Sequence, residues 1–143
     1  MASTRLVSAI VVGGVIAAAA STGIAWAGGP DGGTDNPNEV SEAVGTGAFL
    51  GVLEGFRATG ATNGEASARV IAACEQAGGI ECSVDEVTNE NLCIVSVADD
   101  GNSTVAGGAG PTVEAARQDA LQRAAANGTP FGPGAGIVIS ACP

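Results

Sequence analysis

The stretch NGEASARVIAACEQAGGIECSVDEVTNENLC, residues 63–93, predicts one helix followed by two strands. Asn63 is a suitable N-cap, because its side-chain oxygen can accept a free backbone N–H of the first turn. Small apolar residues then recur at helical spacing, at Ala66, Val70, Ala73 and Ala77. The pair Gly78-Gly79 ends the helix, since glycine readily adopts the left-handed conformation that a C-cap needs.

Cysteines mark both strands of this stretch and predict two disulfides. Cys74 lies in the last turns of the helix and Cys82 just after the glycine stop, so a chain reversal brings them together. Cys93 begins a buried strand and Cys142 ends the last one. We therefore expect the pairs Cys74–Cys82 and Cys93–Cys142. Four cysteines allow three pairings, and non-reducing peptide mapping distinguishes them.

The N-terminus has the features of a secretory signal peptide over residues 1–27. Arg5 supplies the positive start, residues 6–20 form an apolar run, and Ala25-Trp26-Ala27 is a small-residue cleavage site before Gly28. The alternative is an uncleaved anchor, but a membrane span needs about 20 apolar residues. We expect a protein that is secreted, extracellular or in the cell envelope, with no stable membrane anchoring after cleavage.

The charge balance restricts the partners of the remaining chain. Residues 28–143 hold 15 acidic residues and four arginines, a net charge of −11. Such a surface repels nucleic acid and anionic lipid, so we expect neither as a partner. Acidity also keeps a secreted protein soluble without any further role, and an unknown protein partner remains open. Nothing in the sequence indicates a cofactor.

The first part of the mature chain predicts a leader and then a folded domain over residues 47–143. Residues 28–46 are rich in Gly, Asp, Asn and Pro and predict a disordered acidic leader. Residues 48–56 predict a first strand, and residues 57–61 a return strand. The apolar residues of that first strand are core candidates, namely Phe49, Leu50, Val52, Leu53 and Phe56.

The second half repeats this plan. Residues 92–98 predict a buried strand, Asp99-Asp100-Gly101-Asn102 a hairpin turn, and residues 103–107 a return strand. Thr112 is a suitable N-cap for a helix from Val113 to about Ala126, and residues 137–142 predict a last strand. The two helices align with an offset of about 49 residues. A duplicated unit explains this offset, and so does the alanine-rich composition of both helices.

These elements predict an α+β domain. Two small-residue helices would pack on one face of a mostly antiparallel sheet of about five strands, held by two disulfides. A duplicated strand-strand-helix-strand unit is one explanation of the pattern.

The cysteine and glycine pattern resembles a known family. The features are Cys74, Gly78-Gly79, Cys82, Cys93-Ile94-Val95, Gly108-Ala109-Gly110-Pro111-Thr112, Glu114-Ala115-Ala116 and Ala141-Cys142. Together they resemble the domain of unknown function family 4189, found in small exported proteins of actinobacteria and other bacteria. The likeness covers residues 47–142. It implies export and disulfides, and it brings no established activity or catalytic residues.

The residue types limit the chemistry. The chain has no His, Lys or Tyr, which excludes histidine-based nucleophilic catalysis. The cysteines suit disulfides better than zinc, and Asp99-Asp100-Gly101-Asn102 lacks the alternating ligands of a calcium loop. Gly107-Gly108-Ala109-Gly110 lacks the Lys-Ser/Thr of a phosphate loop. Candidate acid and base groups are the carboxylates near predicted turns, namely Asp85, Glu86, Glu90, Asp99 and Asp100.

Two functions of different classes remain. The first is a non-catalytic binding or effector protein that acts on a host or envelope partner. The second is a small carboxylate-dependent hydrolase of a glycan or cell-wall substrate. We favour the first, because carboxylates in turns are usually solvated and a catalytic acid needs an apolar pocket to raise its pKa.

Overall fold

The structure is a computed structural model that describes residues 39–143. These residues form an α+β fold, as the sequence predicted. The elements are β1 (Ser41–Phe49), β2 (Val52–Gly60), α1 (Asn63–Gln76), β3 (Ile80–Thr88), β4 (Cys93–Asp99), β5 (Thr104–Gly110), α2 (Val113–Ala126) and β6 (Gly136–Ala141). The predicted signal peptide and residues 28–38 of the predicted leader lie outside the described residues.

The strands form two antiparallel sheets of three strands each, with the orders β2-β1-β3 and β5-β4-β6. Helix α1 packs on the first sheet, and α2 packs mainly on β5 and β4 of the second. The prediction of a single sheet of about five strands with both helices on one face is therefore wrong. The reason is that both β1 and β4 are covered on two sides, which a period-two pattern of small residues does not reveal.

The two sheets pack directly on each other between the helices. Val44 of β1 and Ile94 of β4 are fully buried and share a cluster with Ala141 of β6, whereas the neighbouring Ala43 packs with the α1 side. A Cβ atom added at Gly107 would lie 2.0 Å from the carbonyl oxygen of Asp85 on β3. The resulting order of layers is α1, first sheet, second sheet, α2.

The helices begin at threonine caps. The Thr62 hydroxyl accepts the backbone N–H of Glu65, so the predicted N-cap Asn63 is instead the first residue of α1. Thr112 caps α2 in the same way, as predicted. The offset between the caps is therefore 50 residues rather than 49. The buried positions share this offset, being Ala66, Val70 and Cys74 in α1 and Ala116, Ala120 and Ala124 in α2.

Strand β1 replaces part of the predicted leader. Residues 41–46, assigned to a disordered segment on composition, lie in the centre of the first sheet. The composition is misleading because α1 packs so closely on this strand that several of its residues must be small. A Cβ at Gly45 would lie 2.7 Å from Val70 Cγ1, and one at Gly47 would lie 2.1 Å from Cys74 Sγ. Small residues here allow close packing and do not indicate a flexible chain.

A tight turn at Leu50-Gly51 divides the predicted strand 48–56 into β1 and β2. Both turn residues have positive φ, 49° and 87°, as the two central residues of a type I′ hairpin require. Leucine is not a usual residue at such a position, so the pair Leu50-Gly51 does not match the common two-residue turn pairs. Leu50 and Val52, predicted to be core residues, are exposed.

The second hairpin lies where Asp99-Asp100-Gly101-Asn102 predicted it, and β4 and β5 pair from Cys93–Gly110 to Asp99–Thr104. The left-handed residue is Ser103, with φ 58°, and Gly101 does not have positive φ. The loop is therefore longer than the two-residue primed turn that Asp-Gly favours.

Two disulfides are present, between Cys74 and Cys82 and between Cys93 and Cys142. These are the pairs favoured from the sequence. The first joins α1 to β3, and the second joins β4 to the residue that follows β6. Each sheet is thus held by one covalent link.

Candidate functional site

The five candidate carboxylates lie in different environments. Asp85 and Glu86 are on β3, Glu90 follows it, and Asp99 and Asp100 are at the β4–β5 hairpin. Asp99 is buried, and its two oxygens accept the backbone N–H groups of Gly101 at 2.9 Å and Gly132 at 2.8 Å. Asp100 accepts the N–H of Leu53 at 3.0 Å. These two aspartates hold loops and strands together.

Glu86 on β3 is fully buried and forms an ion pair with Arg123 on α2, the helix that packs on the second sheet. Both of its oxygens accept N–H groups of Arg123 on α2, at 3.0 and 3.3 Å. Arg123 also contacts Asp119 at 2.7 Å, and Asp119 accepts the N–H of Ala109 on the edge of β5. Burial alone would lower the pKa of Arg123, but the hydrogen bonds and charges of Glu86 and Asp119 outweigh burial and raise it. The arrangement is that of a structural clamp.

Asp85 has the most perturbed carboxyl group of the set. Burial raises its pKa to about 6, against the lowering effect of nearby Ser96, Ser83 and Thr46 hydroxyls. Ser83 donates to Asp85 Oδ1 at 3.0 Å, while Asp85 Oδ2 and the buried Ser96 Oγ have no hydrogen-bond partner of good geometry among residues 39–143. A carboxyl group of this pKa is able to hold or release a proton near neutral pH.

Replacing Asp85 by Asn should change how stability depends on pH. In the unfolded chain this carboxyl ionises near its ordinary pKa of 3.8, whereas in the folded protein it ionises near 6. The folded state is therefore penalised above about pH 6 and not below about pH 4, so this group lowers the free energy of unfolding as the pH rises through that window. The free energy of unfolding of Asp85→Asn, taken relative to that of wild type, should therefore increase by about 2 kcal/mol as the pH rises from 4 to 7.

Urea unfolding at pH 4, 5, 6 and 7 measures this difference. Glu75→Gln, a change at an exposed acid of α1, is the matched control and should follow the wild-type profile. A constant offset between Asp85→Asn and wild type at all four pH values would contradict the assignment.

Side chains of the types that ligate metals do not cluster in residues 39–143. Residues 39–143 contain no group of three or more His, Cys, Asp or Glu side chains placed to hold a metal ion. In the segment 99–102, which faintly resembles a calcium loop, the Asp99 carboxylate accepts the backbone N–H groups of Gly101 and Gly132. The helices of this region are too short or too polar to cross a membrane.

Three large apolar side chains are exposed at the end of the first sheet that carries the β1–β2 hairpin. Leu50 is 105% exposed, Ile80 65% and Val52 47%. Val52 pairs with Phe49 across the hairpin, and Ile80 pairs with Ala48 on the other side of β1, so both lie at the same end of the first sheet as Leu50. Because Phe49 and Ala48 are consecutive in β1, Val52 and Ile80 lie on opposite faces of that end. We call Leu50, Val52 and Ile80 the tip surface.

Leu50 has two unfavourable features at once. Its φ of 49° places a branched side chain in the left-handed region, which costs about 1 kcal/mol relative to residues that tolerate it. Its side chain is also fully in solvent, so packing does not compensate this cost. Backbone strain of this kind is concentrated at functional positions. Asn or Gly would suit this position of a hairpin turn better than leucine.

The opposite end of β1 borders a shallow cavity of about 260 Å³. Five of its eight lining residues are polar, and two of these are acids. The lining residues are Glu39, Val40, Glu42, Thr88, Asn89, Asn91, Leu92 and Pro143. This cavity has room for a small polar ligand, but none of the candidate carboxylates lines it.

The sequence did not indicate the tip surface, because Leu50 and Val52 were assigned to the core. One signal was available. The segment 48–56 contains two glycines, at positions 51 and 55, and a glycine inside an apolar run often marks a turn or a close approach. Gly51 lies in the turn, and a Cβ at Gly55 would lie 2.6 Å from Ile139 Cβ.

The described residues define a small α+β domain with two disulfides, which indicate an oxidising environment of the extracellular type. The chain belongs to the family described as Domain of unknown function (DUF4189), whose model matches residues 51–142. The family resemblance seen in the sequence is thus confirmed. No curated protein and no solved structure matches the chain significantly. The family match begins in the β1–β2 turn and does not include β1.

Proposed function

We propose that this protein is secreted and binds a host or envelope partner without catalysing a reaction, and that the tip surface makes the contact. The observation that carries the proposal is Leu50, fully exposed in a left-handed backbone conformation. An exposed apolar side chain on a rigid turn can enter a pocket of a partner at little cost in conformational entropy. The disulfides and the signal-like N-terminus support export.

The test is recovery of a partner with variants of the hairpin. Leu50→Asn removes the apolar contact and suits the left-handed backbone, so the fold should be retained and binding should fall at least about tenfold. Val40→Asn is the matched control, since Val40 is an exposed apolar residue at the other end of β1. Protein purified from culture filtrate is immobilised, and proteins captured from envelope and host-cell fractions are identified by mass spectrometry.

The expected result is a protein captured by wild type and by Val40→Asn but not by Leu50→Asn. Equal capture by Leu50→Asn, with its melting temperature unchanged, would show that the tip surface does not make the contact.

One observation favours a second candidate, the carboxylate-dependent hydrolase. Asp85 has a pKa near 6 and three hydroxyl groups close by, which suits a general acid. We expect no turnover of peptidoglycan, glycan, ester or peptide panels by the folded protein. Turnover that disappears in Asp85→Asn while the fold remains would favour the hydrolase.

The repeated strand order supports a proposal about origin. The two halves would descend from one strand-strand-helix-strand unit. Caps at Thr62 and Thr112 and left-handed glycines at Gly78 and Gly128 are each 50 residues apart and support this.

A further inference from the structure

The tip surface is bordered by acidic side chains. Glu81 follows Ile80 directly, and Glu54 lies two residues after Val52 on the same face of β2. Asp100 reaches the same end of the sheet, because its carboxylate accepts the N–H of Leu53. All three acids are exposed. The end of the first sheet that carries the exposed Leu50 therefore also carries three exposed acids.

The arginines of the described region do not neutralise this border, because each has contacts elsewhere. Arg57 donates to the carbonyl of Ser140, and Arg69 pairs with Glu65. The two arginines of α2 are also engaged, Arg117 with Glu114 and Arg123 with Glu86 and Asp119. None of the ion pairs formed by these arginines includes Glu54, Glu81 or Asp100, so the tip surface keeps a negative charge.

This charge distribution selects among three possible occupants. A second copy would bring two negative borders together, and like charges across an interface cost free energy. An anionic membrane would be repelled for the same reason. A protein surface with an apolar pocket and cationic side chains around it matches both the centre and the border.

We propose, on the basis of the proposed binding function, that the partner is a protein whose contact surface has an apolar pocket flanked by arginine or lysine side chains. Leu50 enters the pocket, and Glu54 and Glu81 face the cations. The border charges accelerate association and make it sensitive to salt, while the leucine determines how long the complex lasts.

The test uses a small probe with the proposed chemistry. A β-cyclodextrin whose rim carries ammonium groups offers an apolar cavity with a cationic border, and unmodified β-cyclodextrin offers the cavity alone. Each is titrated into the ¹⁵N-labelled secreted protein at low salt. We expect the cationic probe to shift the amide signals of residues 50–52 and 80–81 and to bind roughly three- to tenfold more tightly than the neutral probe.

Two variants separate the parts of the proposal. The double variant Glu54→Gln, Glu81→Gln should bring the affinity of the cationic probe down to that of the neutral one, as should 0.5 M salt. Equal binding of both probes by wild type at low salt would overturn the cationic partner and leave the proposed function intact. Leu50→Asn should abolish binding of both probes. Unchanged binding by that variant would overturn the proposed function itself.

The other occupants are tested with the same protein. We expect sedimentation equilibrium to give a monomer and flotation with phosphatidylcholine vesicles to leave the protein in solution. A dimer that Leu50→Asn dissociates, or vesicle binding that Leu50→Asn abolishes, would overturn the proposal in favour of a second copy or a lipid surface.

Discussion

A chain that begins at Gly51, where the family match starts, is expected not to fold. Strand β1 lies between β2 and β3, so its removal leaves both neighbours without the hydrogen-bonding partner that joins them. It also uncovers Val70 of α1 and Ile94 of β4, which are fully buried in the whole structure. The loss exceeds the about 5–15 kcal/mol by which domains of this kind are stable.

The matched control is a chain that begins at Glu39 and keeps β1. We expect it to melt cooperatively with dispersed amide signals, as we also expect of the full chain, while the Gly51 chain shows neither property. Thermal unfolding followed by circular dichroism and a proton–nitrogen correlation spectrum make the comparison. A cooperative transition in the Gly51 chain would mean that the family-matched segment is a complete folding unit.

Arg123→Leu is expected to destabilise the protein by about 3 kcal/mol or more. The change leaves Glu86 buried without the guanidinium that donates to both of its oxygens. Removing one partner of a buried ion pair typically costs about 3–5 kcal/mol, because a desolvated charge loses its main compensation. Denaturant unfolding at pH 7 measures the change.

Arg117→Leu is the control on the same helix. Arg117 pairs with Glu114 at 2.8 Å, but both side chains are solvent-exposed, and exposed pairs contribute little. We expect a change within about 0.5 kcal/mol. If the two variants lose similar stability, the Glu86–Arg123 pair is not the clamp between α2 and β3 that the geometry indicates.

The sequence was most informative where local chemistry alone determines structure. Thr112 caps α2 through its own hydroxyl, and Gly78 ends α1 by adopting positive φ. Such signals act over three or four residues and need no knowledge of the rest of the chain. The family resemblance could be recognised for a similar reason, because cysteine spacing is read directly from the sequence and does not require knowledge of how the sheets assemble.

Sheet assembly could not be predicted from the same signals. Gly45 and Gly47 weaken an isolated strand, and only the positions of Val70 and Cys74 in space show why they are required in β1. The same limit applies to Leu50, which a hydrophobicity pattern assigns to the core. Its exposure depends on the turn at Gly51, and that turn has no recognisable residue pair.

The candidate site could also be predicted only in part from the sequence. The carboxylates Asp85 and Glu86 could be named from the sequence, but their different roles arise from neighbours on other strands and helices. Asp85 lies by the hydroxyls of Thr46 and Ser96, while Glu86 meets Arg123. The register of β3 against β1 is irregular between Val84 and Glu86, so the surroundings of Asp85 and Glu86 cannot be predicted from regular strand alternation.

Strand β1 is the centre of the first sheet and presents Leu50 at its end, and we expect it to be rigid. Hydrogen exchange of individual backbone amides in the full secreted protein tests it most directly. We expect amides in residues 43–47 to exchange as slowly as those of β4, and the amides of Leu50 and Gly51 to exchange rapidly. Rapid exchange across residues 41–49 would contradict this expectation and would mean that the segment is disordered, as was predicted for the leader.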